Sequence, residues 1–240
     1  MERERTDVTG VTGKVTAIVL AAGQGKRMQS KIQKQYLLLD GKPLLYYSLK
    51  AFEQSSVDEI VLVVSKDMMQ YCEREIVAQF GFQKIAKIVE GGKERYHSVY
   101  EGLKAASDAE IVLIHDGARP LVTQKIIEDS ILAAVEYKAC AVGMPVKDTI
   151  KIVNEDQYAV RTPERRRVWQ IQTPQAFSYM LLRKAYDLLM RDEKCQEGIT
   201  DDAMVVETML NVPVKLIEGS YSNMKVTTPE DMEIARVLRQ

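Results

Sequence analysis

Five short apolar runs, each followed by an amphipathic stretch, fix the fold class of this chain. The runs are Val15 to Ala21, Glu59 to Ser65, Ile85 to Gly91, Glu110 to Asp116 and Ala139 to Val146. Each is rich in Val and Ile and bounded by Gly, Asp or Pro, as strands are. Between them lie "PLLYYSLKAFEQ", "DMMQYCEREIVAQF", "RYHSVYEGLKAAS" and "TQKIIEDSILAAVEY". These have helical spacing; in the last, Ile126, Ile127, Ile131, Leu132 and Val135 are expected on one helical face. Strands that alternate with helices need crossover connections, so the sheet is expected to be mainly parallel and covered on both faces. The fold class is α/β and Rossmann-like.

The pattern changes after Val146. "KDTIKIVNEDQYAVRTPERRRVWQIQ" reads as an alternating strand, a charged turn and a second alternating strand. Residues 146–168 are therefore expected to protrude as a β-arm from a single domain spanning 13–240. Helices return at "SYMLLRKAYDLLMRD" and "DDAMVVETML", and the strand "VPVKLIEG" and the helix "PEDMEIARVLRQ" close the chain. A two-stranded arm is marginal alone in water, so a second subunit is expected against it. Residues 1–12, charged and without an apolar core, read as a loose tail and not as a secretory signal.

Charge narrows the partners. Lys plus Arg number 33 and Asp plus Glu 34, a net charge of −1, which argues against a nucleic-acid coat or an anionic membrane surface. No apolar run approaches the roughly 20 residues that span a bilayer. Cys72, Cys140 and Cys195 show no metal-ligand spacing and read as reduced thiols of a cytoplasmic protein.

Against that neutral background, "AIVLAAGQGKRMQSKIQKQY" concentrates Lys26, Arg27, Lys31 and Lys34 beside Gly23 and Gly25. Ligands of open parallel sheets gather at the carboxyl ends of strands, where glycine lets backbone N–H groups approach an anion. A Walker loop would need GxxxxGK followed by Ser or Thr, which is absent. A dinucleotide fingerprint fails at Met28, where its third glycine should stand, and the second strand lacks the ribose-gripping acid. There remain a tight strand–helix turn with solvated cations and a nucleotidyltransferase-type loop. The spacing of Arg27 and Lys34 favours the loop, in which both would neutralise a triphosphate and the pentavalent state formed during transfer.

"HDGARP" places Asp116 at the carboxyl end of the fourth strand, with Gly117 and Arg119 after it. A lone carboxylate there suits Mg²⁺ or another divalent cation, which takes few protein ligands and keeps waters and phosphate oxygens; capping a turn is a compatible role. The two histidines, His97 and His115, have no triad or ligand spacing and read as packing or hydrogen-bonding residues. Without a clear general base, the chemistry that fits is attack by an ionised phosphate, which has no proton to lose. "EGGKERYHS" adds Gly91 and Gly92 as a turn that can lie against a flat base, with Ser98 facing the base edge or merely starting a helix. The arm and the segments C-terminal to it supply Asp148, Thr149, Lys151, Arg165, Thr173, Thr200 and Lys225. Arg165 could grip a phosphate monoester with two prongs, while Arg166 and Arg167 read as solvated. Thr200 reads as a helix cap or a substrate contact, and Arg119 and Thr173 join it as substrate-binding candidates.

Together these stretches resemble the 2-C-methyl-D-erythritol 4-phosphate cytidylyltransferases of non-mevalonate isoprenoid biosynthesis. "AAGQGKRM…KQY", "EGGKERYHSV", "HDGARP", "PVKDTIK", "QTPQAF" and "NMKVTTPED" occur in that family's order over essentially the whole chain after the first dozen residues. The resemblance implies that CTP and methylerythritol phosphate are joined with release of pyrophosphate and with Mg²⁺ required. Ala21, Ala22, Gly23, Gly25, Lys26, Gly92, Ser98 and Gly117 would surround CTP. Arg27 and Lys34 would stabilise the transition state, Asp116 would hold the metal, and Arg165 and Lys225 would position the second substrate. Thr149 and Arg165 would reach it from the partner's arm in a homodimer. Two positions depart from the family pattern: Ser222 stands where an Asp is often seen before the Asn-x-Lys element, and Lys93 where an acid often follows the paired glycines. A ribitol 5-phosphate cytidylyltransferase and an idle nucleotide-binding regulator are the rival readings.

Overall fold

The computed structural model of the chain describes residues 11–23 and 33–239. In chain order the strands and α-helices are β1 (Lys14–Ala21), β2 (Leu38–Leu39), β3 (Lys42–Pro43), α1 (Leu44–Glu53), β4 (Glu59–Val64), α2 (Met69–Tyr71), β5 (Ile85–Glu90), α3 (Arg95–Ala105), β6 (Ala109–Asp116) and α4 (Gln124–Tyr137). There follow β7 (Ala139–Pro145), β8 (Ile152–Val153), β9 (Ala159–Arg161), β10 (Trp169–Ser178), α5 (Tyr179–Leu189), α6 (Asp202–Leu210), β11 (Lys215–Glu218) and α7 (Pro229–Leu238). A π-helical stretch, Cys72–Ala78, continues α2.

Seven strands form one sheet in the order β11-β7-β10-β6-β1-β4-β5. All neighbours run parallel except β10, which is antiparallel to both β6 and β7. The middles of β1, β4 and β6 are apolar because both faces are covered. In β4, Ile60, Leu62 and Val64 join one core with α1, the π-helical stretch and α4. Val61 and Val63 join the other core with α3, α5 and α6. A fully buried aliphatic side chain of this kind contributes about 1.5–3 kcal/mol, and the alternation inside each strand supplies both cores at once.

Register brings the functional ends together. Ala21 lies beside Val64, Val64 beside Glu90, and Leu20 beside Asp116. The carboxyl ends of β1, β4, β5 and β6 therefore share one edge of the sheet.

Two expectations need correction. Leu132 is 41% exposed, while Ile127, Ile131 and Ala134 are sealed. Those three follow one another at spacings of four and three along the sheet-facing stripe, and Leu132 lies about 100° round the helix from Ile131. Secondly, the alternating stretch at Trp169 does not end as the second strand of the arm. It becomes β10 and enters the central sheet, with its register against β7 broken between Ile171 and Gln175. The arm's own ribbon is only β8 paired with β9. Among the described residues no helix is long and apolar enough to cross a membrane.

Candidate active site

A cleft of about 730 Å³ opens at the shared strand edge. Its floor is the end of β1, Ala21 to Gly23, and its walls include Lys34, Gly92, Ser98, Asp116 and Lys225. Eight of the candidate residues thus meet in one place. Gly25, Lys26 and Arg27 lie outside the described residues. A second hollow, of about 830 Å³, runs along β5 and the helix before it, but of the cleft residues it shares only Lys66.

Gln35 fixes the entry to the glycine loop. It is buried in the 3-10 turn Lys34–Tyr36, and its amide donates to the Ala21 carbonyl at 2.6 Å and the Gly23 carbonyl at 3.2 Å. Lys34, half-buried on the same turn, is thereby held at the cleft wall. The opposite wall is tight backbone. A Cβ on Gly91 would lie 2.5 Å from the Cβ of Ala22, and one on Gly92 would lie 2.3 Å from that of His97; neither position has room for a side chain. Ser98 holds this turn by accepting from the Gly92 N–H at 3.1 Å and donating to the Glu94 carbonyl at 3.3 Å. Glu94 caps α3, with the His97 ring accepting from the Glu94 N–H.

Asp116 is the electrostatic centre. Lys225 Nζ stands 2.8 Å from Oδ2, Arg95 Nε 3.4 Å from Oδ1 and Arg119 Nε 3.8 Å from Oδ2. Burial alone would raise this carboxyl's pKa, but Arg95, Lys225 and Arg119 outweigh it and hold the group well below the usual carboxylate range. The carboxylate is ionised at neutral pH and faces the cleft.

Behind it runs a relay of hydrogen bonds. The Asp116 N–H donates to Thr173 Oγ1 at 3.1 Å, and Thr173 lies 3.1 Å from Nδ1 of the sealed His115. His115 Nε2 faces the Arg119 carbonyl at 3.4 Å. A carbonyl can only accept, so Nε2 carries the proton and Nδ1 accepts from Thr173. Burial pushes the imidazole down to about 3, against the opposing pull of Asp116. The unfolded chain binds this proton as pH falls through about 6.5, whereas the folded chain does not until about 3. Stability is therefore unaffected above that window and lost inside it. The urea midpoint is expected to drop between about pH 7 and about pH 5, by the equivalent of roughly 2 kcal/mol. His115→Gln should flatten that slope; an unchanged slope would contradict the neutral buried ring.

Several candidates stand away from the cleft. Thr173 is 4% exposed, with its hydroxyl engaged in the relay. Arg119 turns its Nη1 to the Asn223 carbonyl at 2.8 Å, which steadies the loop that carries Lys225. Gly117 donates its N–H to the Leu20 carbonyl. Thr200 does not cap α6: Asp201 does, accepting from the Met204 N–H. Thr149 and Arg165 are exposed on the arm, and Arg165 donates to the Lys147 carbonyl at 3.2 Å. Arg95, Gln35 and Lys66 line the cleft and were not singled out from sequence.

Comparisons with known proteins bear on the chain as a whole. The family model for IspD, 2-C-methyl-D-erythritol 4-phosphate cytidylyltransferase, matches residues 15–240. A 2-C-methyl-D-erythritol 4-phosphate cytidylyltransferase from Lachnospira eligens is 53% identical over 223 residues, 92% of this chain and 97% of the relative. One from Lachnoclostridium phytofermentans is 52% identical over 225 residues, 94% of this chain and 96% of the relative. Among solved structures, the 4-diphosphocytidyl-2C-methyl-D-erythritol synthase of Anaerococcus prevotii superposes with a TM-score of 0.83 at 34% identity, covering 95% of this chain and 97% of its own.

Proposed function

The chain belongs to the 2-C-methyl-D-erythritol 4-phosphate cytidylyltransferase family, and we propose that the cleft around Asp116 is where it performs that family's reaction. It joins CTP to 2-C-methyl-D-erythritol 4-phosphate, giving 4-diphosphocytidyl-2-C-methyl-D-erythritol and pyrophosphate. A phosphate oxygen of the alcohol phosphate attacks the α-phosphorus of CTP. The new P–O bond forms as the bond to the β-phosphate oxygen breaks, and pyrophosphate leaves with that electron pair. No proton need move, which accords with a cleft lined by neither His97 nor His115 and with a buried, neutral His115 behind Asp116.

The observation that carries the reading is a set of cations at one end of the sheet, gathered about the buried, ionised carboxylate of Asp116. Lys34 and Lys225 would neutralise the triphosphate and the charge that develops during transfer. The backbone from Ala21 to Gly23 would line the phosphates, and the Gly91–Gly92 turn, kept free of side chains and braced by Ser98, would lie against the base.

The donor set fits a magnesium ion. No group of three or more His, Cys, Asp or Glu side chains among the described residues could cage a metal, but Mg²⁺ commonly takes one or two carboxylates plus phosphate oxygens and water. Asp116 would hold it, and when bound it would supply further neutralisation of phosphate charge. Lys225 Nζ would then exchange its contact with Oδ2 for a phosphate oxygen.

The arm supports a homodimer. Val153, Tyr158 and Val160 are exposed on it at 51%, 73% and 62%, and a two-stranded ribbon is marginal alone in water. Thr149 and Arg165 do not line their own chain's cleft. In the proposed assembly they would meet methylerythritol phosphate in the second copy's cleft. The three unpaired thiols suit a reducing cytoplasm, which we propose as the site of action.

Pyrophosphate release tests the reading. With CTP and Mg²⁺, turnover is expected with methylerythritol phosphate and to be at least about a hundred-fold weaker with ribitol 5-phosphate. Faster release with ribitol phosphate, or none with either, would overturn it. The ribitol alternative is not favoured by relatives about half identical over nearly the whole chain.

A further inference from the structure

Asp202 has no exposed surface, yet it stands one ion pair from the cleft. Arg95 Nη1 donates to its Oδ1 at 3.1 Å and Nη2 to its Oδ2 at 2.8 Å. The Tyr186 hydroxyl donates to Oδ1 at 2.6 Å. Gln175 Oε1 accepts from the backbone N–H groups of Asp202 and Ala203 at 3.0 and 2.8 Å. Of these residues only Arg95 lines the cleft.

The effect on Asp116 is geometric. Arg95 and Arg119 both approach it through Nε alone, at 3.4 and 3.8 Å, because their Nη groups are engaged elsewhere. Those of Arg95 serve Asp202; those of Arg119 serve the carbonyls of Asn223 and Ile171. A guanidinium with free Nη groups closes a two-pronged pair on a carboxylate, one of the strongest contacts available to it. A carboxylate so paired would be a poor ligand. Lys225, the close partner at 2.8 Å, is a flexible point charge that can turn to a phosphate.

We propose that Asp202 is a positioning residue: it occupies Arg95 and so leaves the Asp116 carboxylate available to a divalent cation. Tyr186 orients Asp202 for that task. The inference rests on the reading of Asp116 as the metal carboxylate.

Calorimetric titration of the full-length chain with CTP, in chelator and then in Mg²⁺, tests it. The quantity read is the factor by which Mg²⁺ tightens CTP binding. Asp202→Asn keeps the shape and frees Arg95, and should reduce that factor about ten-fold. Metal-free CTP affinity should be unchanged or tighter, because a negative charge behind the cleft is removed. General structural damage would weaken both. Tyr186→Phe keeps every charge and should reduce the factor about two- to three-fold in the same sense; it carries the test if circular dichroism finds Asp202→Asn unfolded. In an Arg95→Gln background, Asp202→Asn should have no further effect on the factor.

A wild-type magnesium factor in the folded variants would overturn the proposal, as would equal loss of CTP affinity with and without metal. Asp116→Asn separates the two levels. If it leaves the factor intact, the metal reading fails and this inference with it. If it abolishes the factor while Asp202→Asn preserves it, only the role of Asp202 fails.

Discussion

Lys34→Ala is expected to lower kcat by about a hundred- to a thousand-fold while the KM for CTP changes far less. The charge at the α-phosphorus spreads over the equatorial oxygens, and onto the departing pyrophosphate, only as the reaction proceeds. A cation held at the cleft wall therefore acts more on the transition state than on the ground state. Lys34 is held in that sense: Gln35 beside it is clamped to the carbonyls of Ala21 and Gly23, and Tyr36 is buried. The turn keeps those anchors when Lys34 is shortened, so thermal stability should move by no more than about 1 kcal/mol. Lys34→Arg should recover part of the loss. Steady-state kinetics at saturating Mg²⁺ would decide it, and a near-normal kcat in the alanine variant would remove Lys34 from the mechanism.

The fold could be read from the chain because β1, β4, β6 and β7 are short apolar runs buried on both faces, with β5 part-buried at the sheet edge. The expected run Glu59 to Ser65 is β4 at Glu59–Val64, and Ala139 to Val146 is β7 at Ala139–Pro145. Parallel order then sends the segments after β1, β5 and β6 to the same end of the sheet, which is why Gly23, Gly92 and Asp116 could be grouped from sequence. β10 was hidden by its polar residues. Gln170 and Gln172 alternate with Trp169 and Ile171 as in an exposed ribbon, and burial sets in only from Gln172 onward. Gln175 is polar and buried because its side chain serves the start of α6.

Long-range pairing was the other thing the sequence concealed. Arg95 and Asp202 lie far apart in the chain, and no local pattern announces their ion pair. The nearest signal is the doubled acid "TDDA": one aspartate suffices to cap α6, so the second had to be satisfied elsewhere. Thr173 was legible as a polar residue near the site but not by direction. The register break in β10 turns it inward to the Asp116 N–H and His115, the kind of re-aiming that an irregularity in a strand produces.

Asp116→Asn is expected to abolish turnover, by about a thousand-fold or more, and to destabilise the chain in a pH-dependent way. The wild-type carboxyl titrates far below the ordinary carboxylate range because Arg95, Lys225 and Arg119 surround it despite its burial. A depressed folded pKa means that this stabilisation is fully present above the unfolded value of about 3.9 and is lost as pH falls below it. Asparagine has no charge at any pH, and it leaves Arg119 and Lys225 without their carboxylate partner, while Arg95 keeps Asp202. The variant should therefore unfold more easily at neutral pH by about 3–5 kcal/mol, the usual penalty for removing one partner of a buried pair. The difference should hold steady down to about pH 5 and narrow below about pH 4, where the wild-type contribution itself fades. Urea titrations of both proteins across that range test the stability claim. Saturation with CTP in the presence and absence of Mg²⁺ shows whether the lost turnover reflects lost metal or lost nucleotide. A folded variant that turns over normally would end the assignment of Asp116, and a stability gap independent of pH would end the account of its ionisation.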